Sequence, residues 1–231
     1  MKIAILGYGR MGKSIETVAM QRNHTIVCRI DSKNEGDLKN ADMVINFSVP
    51  SSAFNNIKEA INNKIPVVSG TTGWLKDFKN IEQLAIQNKV GFLYSSNFSI
   101  GVNLFFQLNK SLAKLMKSHN YSIKLNEIHH ARKIDSPSGT AISLANDIIS
   151  NSNYKNWSLN QGDKETLKIK SSRKGTFHGM HTVAYNSEYD KIIISHESYS
   201  RTSYAIGAVI AAEWLHGKIG VYSMSDVLKS I

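Results

Sequence analysis

Two adjacent histidines and a nearby lysine form the part of the sequence with the clearest chemical potential. The stretch is Glu127-Ile128-His129-His130-Ala131-Arg132-Lys133-Ile134-Asp135-Ser136-Pro137-Ser138-Gly139-Thr140. Imidazole titrates near neutrality, so a positioned histidine can donate a proton without a large environmental shift. The last four residues look like a helix start, where unpaired backbone N–H groups can hold an anion. A proton donor, a cation and an anion site indicate a carboxylate-bearing substrate.

The residues before the histidines predict that the two rings point in opposite directions. Tyr121, Ile123 and Leu125 alternate as in a strand. Continuing that period places Glu127 and His129 on one face and His130 on the other. The two histidines are therefore expected to have different tasks, and either one taken alone could instead be structural.

A glycine-rich turn near the N terminus predicts a dinucleotide site. The apolar run Lys2 to Leu6 leads into Gly7-Tyr8-Gly9-Arg10-Met11-Gly12, and helical spacing follows. In this context Gly7 permits the tight turn, Gly9 lets the backbone approach a pyrophosphate, and Gly12 allows close packing of helix and strand. Asp31, at the end of a second strand, suits the ribose 2′-OH, whereas Lys33 could meet a 2′-phosphate. The choice between NADH and NADPH therefore stays open.

The alternation of strands and helices continues to about residue 100. Strands are predicted at residues 43–47, 66–69 and 90–94, with helical patterns after the first two. Polar loops follow two of these strands, at residues 69–74 and 95–98, where open α/β sheets bind ligands. The pattern predicts a Rossmann-like, doubly wound parallel sheet in an α/β protein.

The second half changes pattern and predicts an α+β domain. An amphipathic helix is expected over residues 101–117, with Val102, Phe105, Leu108, Leu112, Leu115 and Met116 on its apolar face. Strands at 166–170, 176–185 and 191–196 follow a loop at 151–162, and their succession without helices predicts antiparallel pairing in a mixed or antiparallel sheet. We predict a dinucleotide-binding domain at 1–100, completed by 204–231. A substrate-binding and oligomerisation domain then spans 101–203.

Composition narrows the class of protein. The 231 residues carry a formal charge of +10, but the cations are scattered without a basic block, which argues against nucleic-acid binding. The sequence has no apolar run long enough to cross a membrane and no secretory segment. Cys28 is the only cysteine, which excludes an internal disulfide and fits a reducing compartment. A cytoplasmic protein is expected.

A zinc site is the main metal alternative. His178 and His181 have an H-x-x-H spacing and, with His129 and His130, could suggest metal ligands. In a strand that spacing points the first pair to opposite faces, and neither a cysteine nor a carboxylate completes the set. We therefore predict no metal, and assign no role to His178, His181, His196 or Arg201.

The sequence resembles the dihydrodipicolinate reductase family of the diaminopimelate route to lysine. The resemblance runs from end to end, and its most specific part is the segment from Glu127 to Thr140, which resembles the family signature E-x-H-H-x-x-K-x-D-x-P-S-G-T. The blocks at residues 7–12, 69–73, 96–103 and 200–208 match in order. The glycine turn is one residue shorter than the common family form, and Met180 replaces a frequent glutamate.

The resemblance implies roles for individual residues. It makes His129 the acid/base and Lys133 a carboxylate anchor or proton donor, with hydride passing to ring carbon C4 of a cyclic dicarboxylate. Substrate contacts would fall on His130, Ser138, Gly139, Thr140 and Thr72. Cofactor contacts to NADH or NADPH would involve Gly7, Tyr8, Gly9, Arg10, Met11, Gly12, Asp31, Gly70, Thr71, Thr72, Ser95, Ser96, Asn97 and Phe98. The resemblance also implies a homotetramer built on the sheet of the second domain.

Two other functions are compatible with parts of the sequence. The first hundred residues alone would also fit a dehydrogenase of an amino acid or a semialdehyde. The +10 charge alone would fit a Rossmann-like module that binds nucleic acid or senses NAD(H).

Overall fold

The computed structural model describes residues 1–32, 34 and 36–230, so Lys33 lies outside the described residues. The elements in chain order are β1 (Lys2–Leu6), α1 (Arg10–Gln21), β2 (Thr25–Ile30), β3 (Met43–Asn46), α2 (Pro50–Asn62), β4 (Val67–Ser69), a 3₁₀ turn (Leu75–Asp77), α3 (Phe78–Asn88), β5 (Gly91–Tyr94) and α4 (Ile100–Met116). They continue with β6 (Ser122–His129), α5 (Gly139–Ser150), β7 (Asn156–Leu159), β8 (Thr166–Arg173), β9 (Gly179–Asn186), β10 (Lys191–Ser198), α6 (Thr202–Leu215), β11 (Gly220–Tyr222) and α7 (Met224–Leu228).

The chain divides into two compact units. The first comprises Met1–Ile100 and Arg201–Ile231, and the second is Gly101–Ser200. The sequence prediction placed the corresponding boundaries at residues 100 and 203. Within the described residues, no helix is both long and apolar enough to span a membrane.

The first unit is built on a six-stranded sheet in the order β11-β5-β4-β3-β1-β2, and every pairing in it is parallel. Parallel neighbours need crossover connections, which the intervening helices provide. The predicted Rossmann-like parallel sheet is therefore confirmed. The sixth strand, β11, was not predicted, because three residues between glycine-rich and polar segments show no periodicity.

Both faces of this sheet are covered, which explains the unbroken apolar runs of its strands. In β1, Ile3 and Ile5 belong to a buried cluster that includes residues of α1 and α6. The alternate residues Ala4 and Leu6 belong to a second cluster, which includes residues of α2 and α3. Helices thus flank the sheet on both sides and leave its strand ends for ligands.

The second unit contains a mixed sheet in the order β10-β9-β6-β8-β7. β6 pairs with β8 in parallel and with β9 antiparallel, so β8 and β9 are not neighbours. The predicted antiparallel succession is correct for β9 and β10 but wrong for β8. The physical reason is α5, which buries Ala141, Leu144, Ala145 and Ile148 as a crossover between parallel strands. The predicted loop at 151–162 is also wrong, because β7 lies within it and pairs with β8.

The buried stripe of α4 differs from the predicted apolar face. Val102 and Phe105 are buried as expected, but Leu108 and Leu115 are exposed. The stripe instead includes Asn109, whose Nδ2 donates to the carbonyl of Leu144 at 3.2 Å. The buried stripe thus includes an amide whose Nδ2 is hydrogen-bonded, a position that hydrophobicity alone does not predict.

Candidate active site

The glycine turn after β1 has the three properties that a pyrophosphate site requires. Gly7 has φ +94°, and a Cβ there would lie 2.2 Å from the carbonyl oxygen of Phe47. A Cβ on Gly12 would lie 2.3 Å from the oxygen of Gly7, so only glycine allows α1 to pack this closely. A Cβ on Gly9 would meet nothing within 4 Å. The open side of the turn is therefore at Gly9, the N-cap of α1, where helix N–H groups favour an anion.

The other predicted residues of this turn occupy different surroundings. Arg10 is exposed at the first position of α1, and Met11 packs against the buried cluster that contains Ile3. The hydroxyl of Tyr8 donates to the carboxylate of Glu16, which also pairs with the guanidinium of Arg29. The Tyr8 side chain is thus held by protein partners, whereas Arg10 is presented to solvent.

Asp31 lies directly after β2, at the predicted position for a ribose contact. Its Oδ1 accepts hydrogen bonds from the backbone N–H and the side-chain amide of Asn34, at 3.0 and 2.9 Å. The carboxylate is therefore already oriented by a local turn, with its direction fixed before a ligand arrives.

The loop after β4 separates a structural threonine from an accessible one. Thr71 is buried, and its Oγ1 accepts from the backbone N–H of Ser48 at 2.9 Å and from Nδ2 of Asn46 at 3.3 Å. Thr72 is exposed. A Cβ on Gly70 would lie 2.3 Å from the ring of Phe47, so this loop passes the ring closely. Asn46 was not predicted as a site residue. The only feature of the sequence that could have identified it is its position at the end of β3.

The loop after β5 is organised by its own polar groups. The Ser95 hydroxyl donates to the carbonyl of Asn97 at 2.7 Å, and Oδ1 of Asn97 accepts from the N–H of Ser99 at 2.9 Å. Ser96 is exposed and Phe98 is buried. A Cβ on Gly207 of α6 would lie 1.7 Å from the carbonyl oxygen of Phe98. Phe98 therefore belongs to the core and could meet a cofactor only at its edge or through its backbone.

In the second unit, the predicted alternation along β6 is confirmed. Leu125, Glu127 and His129 are buried, whereas Ile128 is half-buried on the other face. His130 follows the strand and is half-buried, and its backbone carbonyl accepts from the N–H of Lys133 at 3.2 Å. The two histidines thus have different environments, as strand geometry requires.

The predicted helix start at Ser138 is also confirmed. Ser138 is the N-cap of α5, and its Oγ accepts from the N–H of Ala141 at 3.2 Å. Gly139 is exposed and Thr140 is half-buried, and neither of their N–H groups has a partner within the part of the chain that the structure describes. These two N–H groups can therefore donate hydrogen bonds to an anion at the positive end of the helix dipole.

Glu127 is a buried carboxylate with an unusually full set of neighbours. It accepts from the N–H of Ser138 at 3.1 Å and from Oγ of Ser171 at 2.6 Å, and Nη1 of Arg173 lies 3.5 Å away. Burial alone would raise the pKa of Glu127, but hydrogen bonds from His181, Ser138 and Ser171 hold its pKa far below the usual range. The carboxylate is therefore ionised at any physiological pH.

His129 lies beside this carboxylate, with Nδ1 3.6 Å from Oε2 of Glu127. Its ring is 5.0 Å from the ring of His181, measured between centroids. Burial lowers the pKa of His129, and the charges of His181, Lys133 and Arg173 add to this effect against the opposing effect of Glu127, so that the pKa falls to about 4. The His129 ring is thus uncharged at neutral pH in the absence of a ligand.

Lys133 lies in the loop between β6 and α5, and its side chain is mostly buried. Its Nζ contacts both carboxylate oxygens of Asp135 at 2.7 Å. Arg173 supports the same loop, because its Nε donates to the carbonyl of Lys133 at 3.2 Å and its Nη2 donates to the carbonyl of Asp135. Neither Arg173 nor Ser171 was predicted, since both come from β8, whose pairing with β6 was missed.

The sequence prediction that no carboxylate accompanies the histidines is wrong, because Glu127 lies beside His129 and His181. Donor atoms of Glu127, His129 and His181 lie within 4.8 Å of one another. A cation there would compete with the guanidinium of Arg173, and Nε2 of His181 already contacts Oγ of Ser138 at 3.0 Å. We therefore interpret the cluster as a hydrogen-bond network.

Gly179, the first residue of β9, limits where the His129 ring can lie. A Cβ at this position would be 3.1 Å from Nε2 of His129. Gly179 also has φ +158°, where an alanine strains the backbone. If His129 is the proton donor, Gly179→Ala should displace its ring by a few tenths of an ångström and lower turnover by roughly tenfold, because catalytic geometry tolerates little misplacement. Gly175→Asn is the matched control, since a Cβ there meets nothing and asparagine tolerates its φ of +52°. Equal turnover of Gly179→Ala and the wild type would contradict this expectation.

Comparison with known proteins covers both units. The protein-family model "Dihydrodipicolinate reductase, N-terminus" matches residues 1–98, and the family model "Dihydrodipicolinate reductase, C-terminus" matches residues 101–228. A 4-hydroxy-tetrahydrodipicolinate reductase of Christiangramia forsetii is 47% identical over 236 residues, which covers 100% of this chain and 99% of the relative. The enzyme of the same name from Rickettsia rickettsii is 35% identical, over 96% of this chain and 95% of the relative.

A solved structure shows the same fold. Dipicolinate-bound dihydrodipicolinate reductase from Paenisporosarcina sp. TG-14 has a TM-score of 0.82 at 22% identity, and the match covers 98% of each chain. The nicotinamide-binding type of fold in the first unit agrees with these matches. The chain belongs to the dihydrodipicolinate reductase family of oxidoreductases.

Proposed function

We propose that this protein reduces 4-hydroxy-tetrahydrodipicolinate, or the dihydrodipicolinate formed from it, to tetrahydrodipicolinate with NADH or NADPH. The observation that carries the proposal is the second unit's combination of a buried histidine, His129, with the open amides of Gly139 and Thr140. A relative of that name matches the whole chain at 47% identity, which supports the same substrate.

The proposed reduction of dihydrodipicolinate needs a hydride and a proton, and the 4-hydroxy compound must first lose water to give dihydrodipicolinate. A bound nicotinamide supplies the hydride for ring carbon C4. His129 is the proposed proton donor. It is one of two imidazoles beside the ionised carboxylate of Glu127, and the other, His181, already contacts Oγ of Ser138. A dicarboxylate substrate would offset the cations of Lys133 and Arg173 and so favour the protonated form of His129.

Substrate carboxylates are assigned to the start of α5 and its surroundings. The amides of Gly139 and Thr140 would hold one carboxylate, and Ser138 fixes the helix end that presents them. His130 and Lys133 would hold carboxylate oxygens as donors, with Lys133 exchanging its contact with Asp135 for one with the substrate. Thr72, which is exposed in the first unit, is assigned to substrate as well as cofactor.

Cofactor binding is assigned to the first unit. The open turn at Gly9 fits a pyrophosphate, and Arg10 lies at the same helix end. The carboxylate of Asp31 would accept from a ribose hydroxyl, and the exposed Thr72 and Ser96 lie in loops at strand ends where Rossmann-like sheets bind ligands. The loop Ser95 to Phe98 completes the assigned residues with its backbone groups. NADH and NADPH remain the two candidate cofactors.

The relatives' names and the sequence support a proposal for the cellular setting. We place the protein in the cytoplasm, in the diaminopimelate route of lysine biosynthesis, with the second unit as its oligomerisation domain. A homotetramer is supported by the alternate face of the mixed sheet, where Ile128 and Met180 are only half-buried and Ile193 is exposed. No nucleic acid, membrane or metal is part of the proposed function.

The proposed reaction can be tested by generating the substrate in place from pyruvate and aspartate semialdehyde with the preceding synthase. We expect loss of NADH or NADPH absorbance that depends on both the synthase and this protein. Comparing the two cofactors gives the preference. Oxidation of an amino acid or a semialdehyde, with no consumption of the synthase product, would favour the dehydrogenase alternative.

Replacing Lys133 with Met should raise KM for the substrate by about 10- to 100-fold, because a charge-assisted contact contributes about 1.5–3 kcal/mol. The affinity for NADH or NADPH should stay unchanged. Lys114→Met is the matched control, since Lys114 is an exposed lysine near the end of α4. Steady-state kinetics would measure both variants, and an unchanged KM for Lys133→Met would exclude Lys133 as the anchor.

A further inference from the structure

The carboxylate of Glu127 contacts both parts of the proposed substrate site. One contact is with the N–H of Ser138 at the start of α5, and the other is the 3.6 Å approach of Oε2 to Nδ1 of His129. The first part would hold the substrate carboxylate and the second would deliver the proton. A single buried side chain therefore connects the group that binds with the group that reacts.

At the helix start, Glu127 limits which amides remain available. It occupies the N–H of Ser138, and Oγ of Ser138 occupies the N–H of Ala141. At this helix start, the N–H groups of Gly139 and Thr140 lie between these two hydrogen-bonded N–H groups and are the ones left to bind an anion. Because Glu127 projects from β6, the strand fixes the position of this helix end relative to His129.

At the His129 ring, Glu127 is the nearest group that favours a positive charge. Nδ1 of His129 is buried and has no hydrogen-bond partner within the described residues. The Glu127 carboxylate lies 3.6 Å from this atom, beyond hydrogen-bond distance, and its negative charge would stabilise an imidazolium there. Arg173 from β8 partly neutralises the carboxylate, since its Nη1 lies 3.5 Å from Oε1 of Glu127.

His181 adds a second imidazole to the same carboxylate. Its Nε2 lies 3.5 Å from Oε2 of Glu127 and 3.0 Å from Oγ of Ser138. It is buried, and its register partner on β10 is His196, which stacks on Phe105. The groups that face His129 and His181 are thus Glu127 on β6, Lys133 in the following loop, Arg173 on β8 and His196 on β10.

We propose that Glu127 and His181 are positioning residues for the proton donor: Glu127 places a negative charge and His181 a second imidazole beside the His129 ring, and together they hold Ser138 at the start of α5. This inference rests on the proposed function for its catalytic meaning. A positive charge on His181 would repel one on His129, because the two rings are 5.0 Å apart. The balance between Glu127 and His181 therefore sets how readily His129 takes up a proton.

Nuclear magnetic resonance titration of the histidine ring protons tests this inference in the full chain, with His129→Gln used to assign the His129 signal. Glu127→Gln should lower the pKa of His129 by about one pH unit, because the neighbouring negative charge is lost. His181→Gln keeps a polar partner for the Ser138 hydroxyl but removes the second ring, so it should raise the pKa of His129. The opposite directions distinguish positioning from general destabilisation.

Binding of a substrate analogue distinguishes the charge of Glu127 from its role as a hydrogen-bond acceptor. Glu127→Gln retains an acceptor for the Ser138 N–H, so the dissociation constant of pyridine-2,6-dicarboxylate should change by less than about threefold, whereas Glu127→Ala should weaken binding by about tenfold. Glu127→Gln should nevertheless lower kcat by about 10²-fold, the lower range for lost acid–base catalysis.

An unchanged His129 titration in both variants would overturn the inference, and so would a shift in the same direction in both. Equal weakening of dicarboxylate binding by Glu127→Gln and Glu127→Ala would overturn the role at α5. The proposed function fails separately, if the wild-type protein does not consume the synthase product. The titration needs no turnover, so the two failures are distinguishable.

Discussion

Replacing His129 with Gln should lower kcat by about 10²- to 10⁴-fold, the contribution of a positioned general acid or base. The ring is buried beside the ionised carboxylate of Glu127, so glutamine fills a similar space but cannot donate the proton. The affinity for NADH and NADPH should not change, because His129 belongs to the second compact unit and the glycine turn to the first.

His130→Gln is the matched control for this experiment. His130 follows the same strand but does not share the buried face of His129, and it is assigned to substrate binding. Its replacement should raise KM more than it lowers kcat, as expected for a residue that binds the ground state and transition state alike. Steady-state kinetics on the in-place substrate would measure both. Turnover of His129→Gln at the wild-type rate would remove His129 from the mechanism.

Replacing Gly9 with Asp should weaken NADH and NADPH binding by about 10²-fold or more. The substitution places a carboxylate where the pyrophosphate is expected, and juxtaposed like charges cost several kcal/mol. The backbone tolerates the change, because Gly9 has φ −80° and a Cβ there meets nothing within 4 Å. The melting temperature should therefore remain close to that of the wild type.

Gly9→Ala provides the control that separates charge from size. It adds a Cβ in the same open space without a charge, so its effect on cofactor affinity should be much smaller. Titration of cofactor fluorescence would give the dissociation constants of both variants. Wild-type affinity in Gly9→Asp would show that the cofactor does not use this turn.

Local patterns in the sequence predicted most of the first unit. Gly7 and Gly12 each have a steric reason to be glycine that the motif anticipates, and the buried strands have apolar residues on both faces. The start of α5 could also be predicted from the sequence, because serine is a favoured N-cap residue and Ser138 precedes apolar residues at helical spacing. These features depend on neighbours that are close in sequence.

Long-range pairing was the part that local patterns could not predict. The insertion of β6 between β8 and β9 brings Ser171, Arg173 and His181 around Glu127, across sequence separations of 44, 46 and 54 residues. Each of these polar residues is unremarkable in its own segment. Only the parallel crossover through α5 makes them neighbours of one buried carboxylate.

Burial also changed the interpretation of individual residues. Thr71 and Phe98 were predicted to contact the cofactor, but the structure buries both side chains, and Thr71 is held by Asn46 and Ser48. In the same loops, Thr72 and Ser96 are exposed. Hydrogen-bond partners that lie 23 or 25 residues away decided which threonine is structural, and a motif cannot provide that information.

The central claim is that the protein moves a hydride from a nicotinamide to ring carbon C4 of a cyclic dicarboxylate. It is tested most directly with NADH or NADPH that carries deuterium at both C4 positions of the nicotinamide, using substrate made in place by the synthase. Mass spectrometry and nuclear magnetic resonance of the product should find one deuterium, located at C4 of tetrahydrodipicolinate. Product without deuterium, or with deuterium at another carbon, would contradict the account.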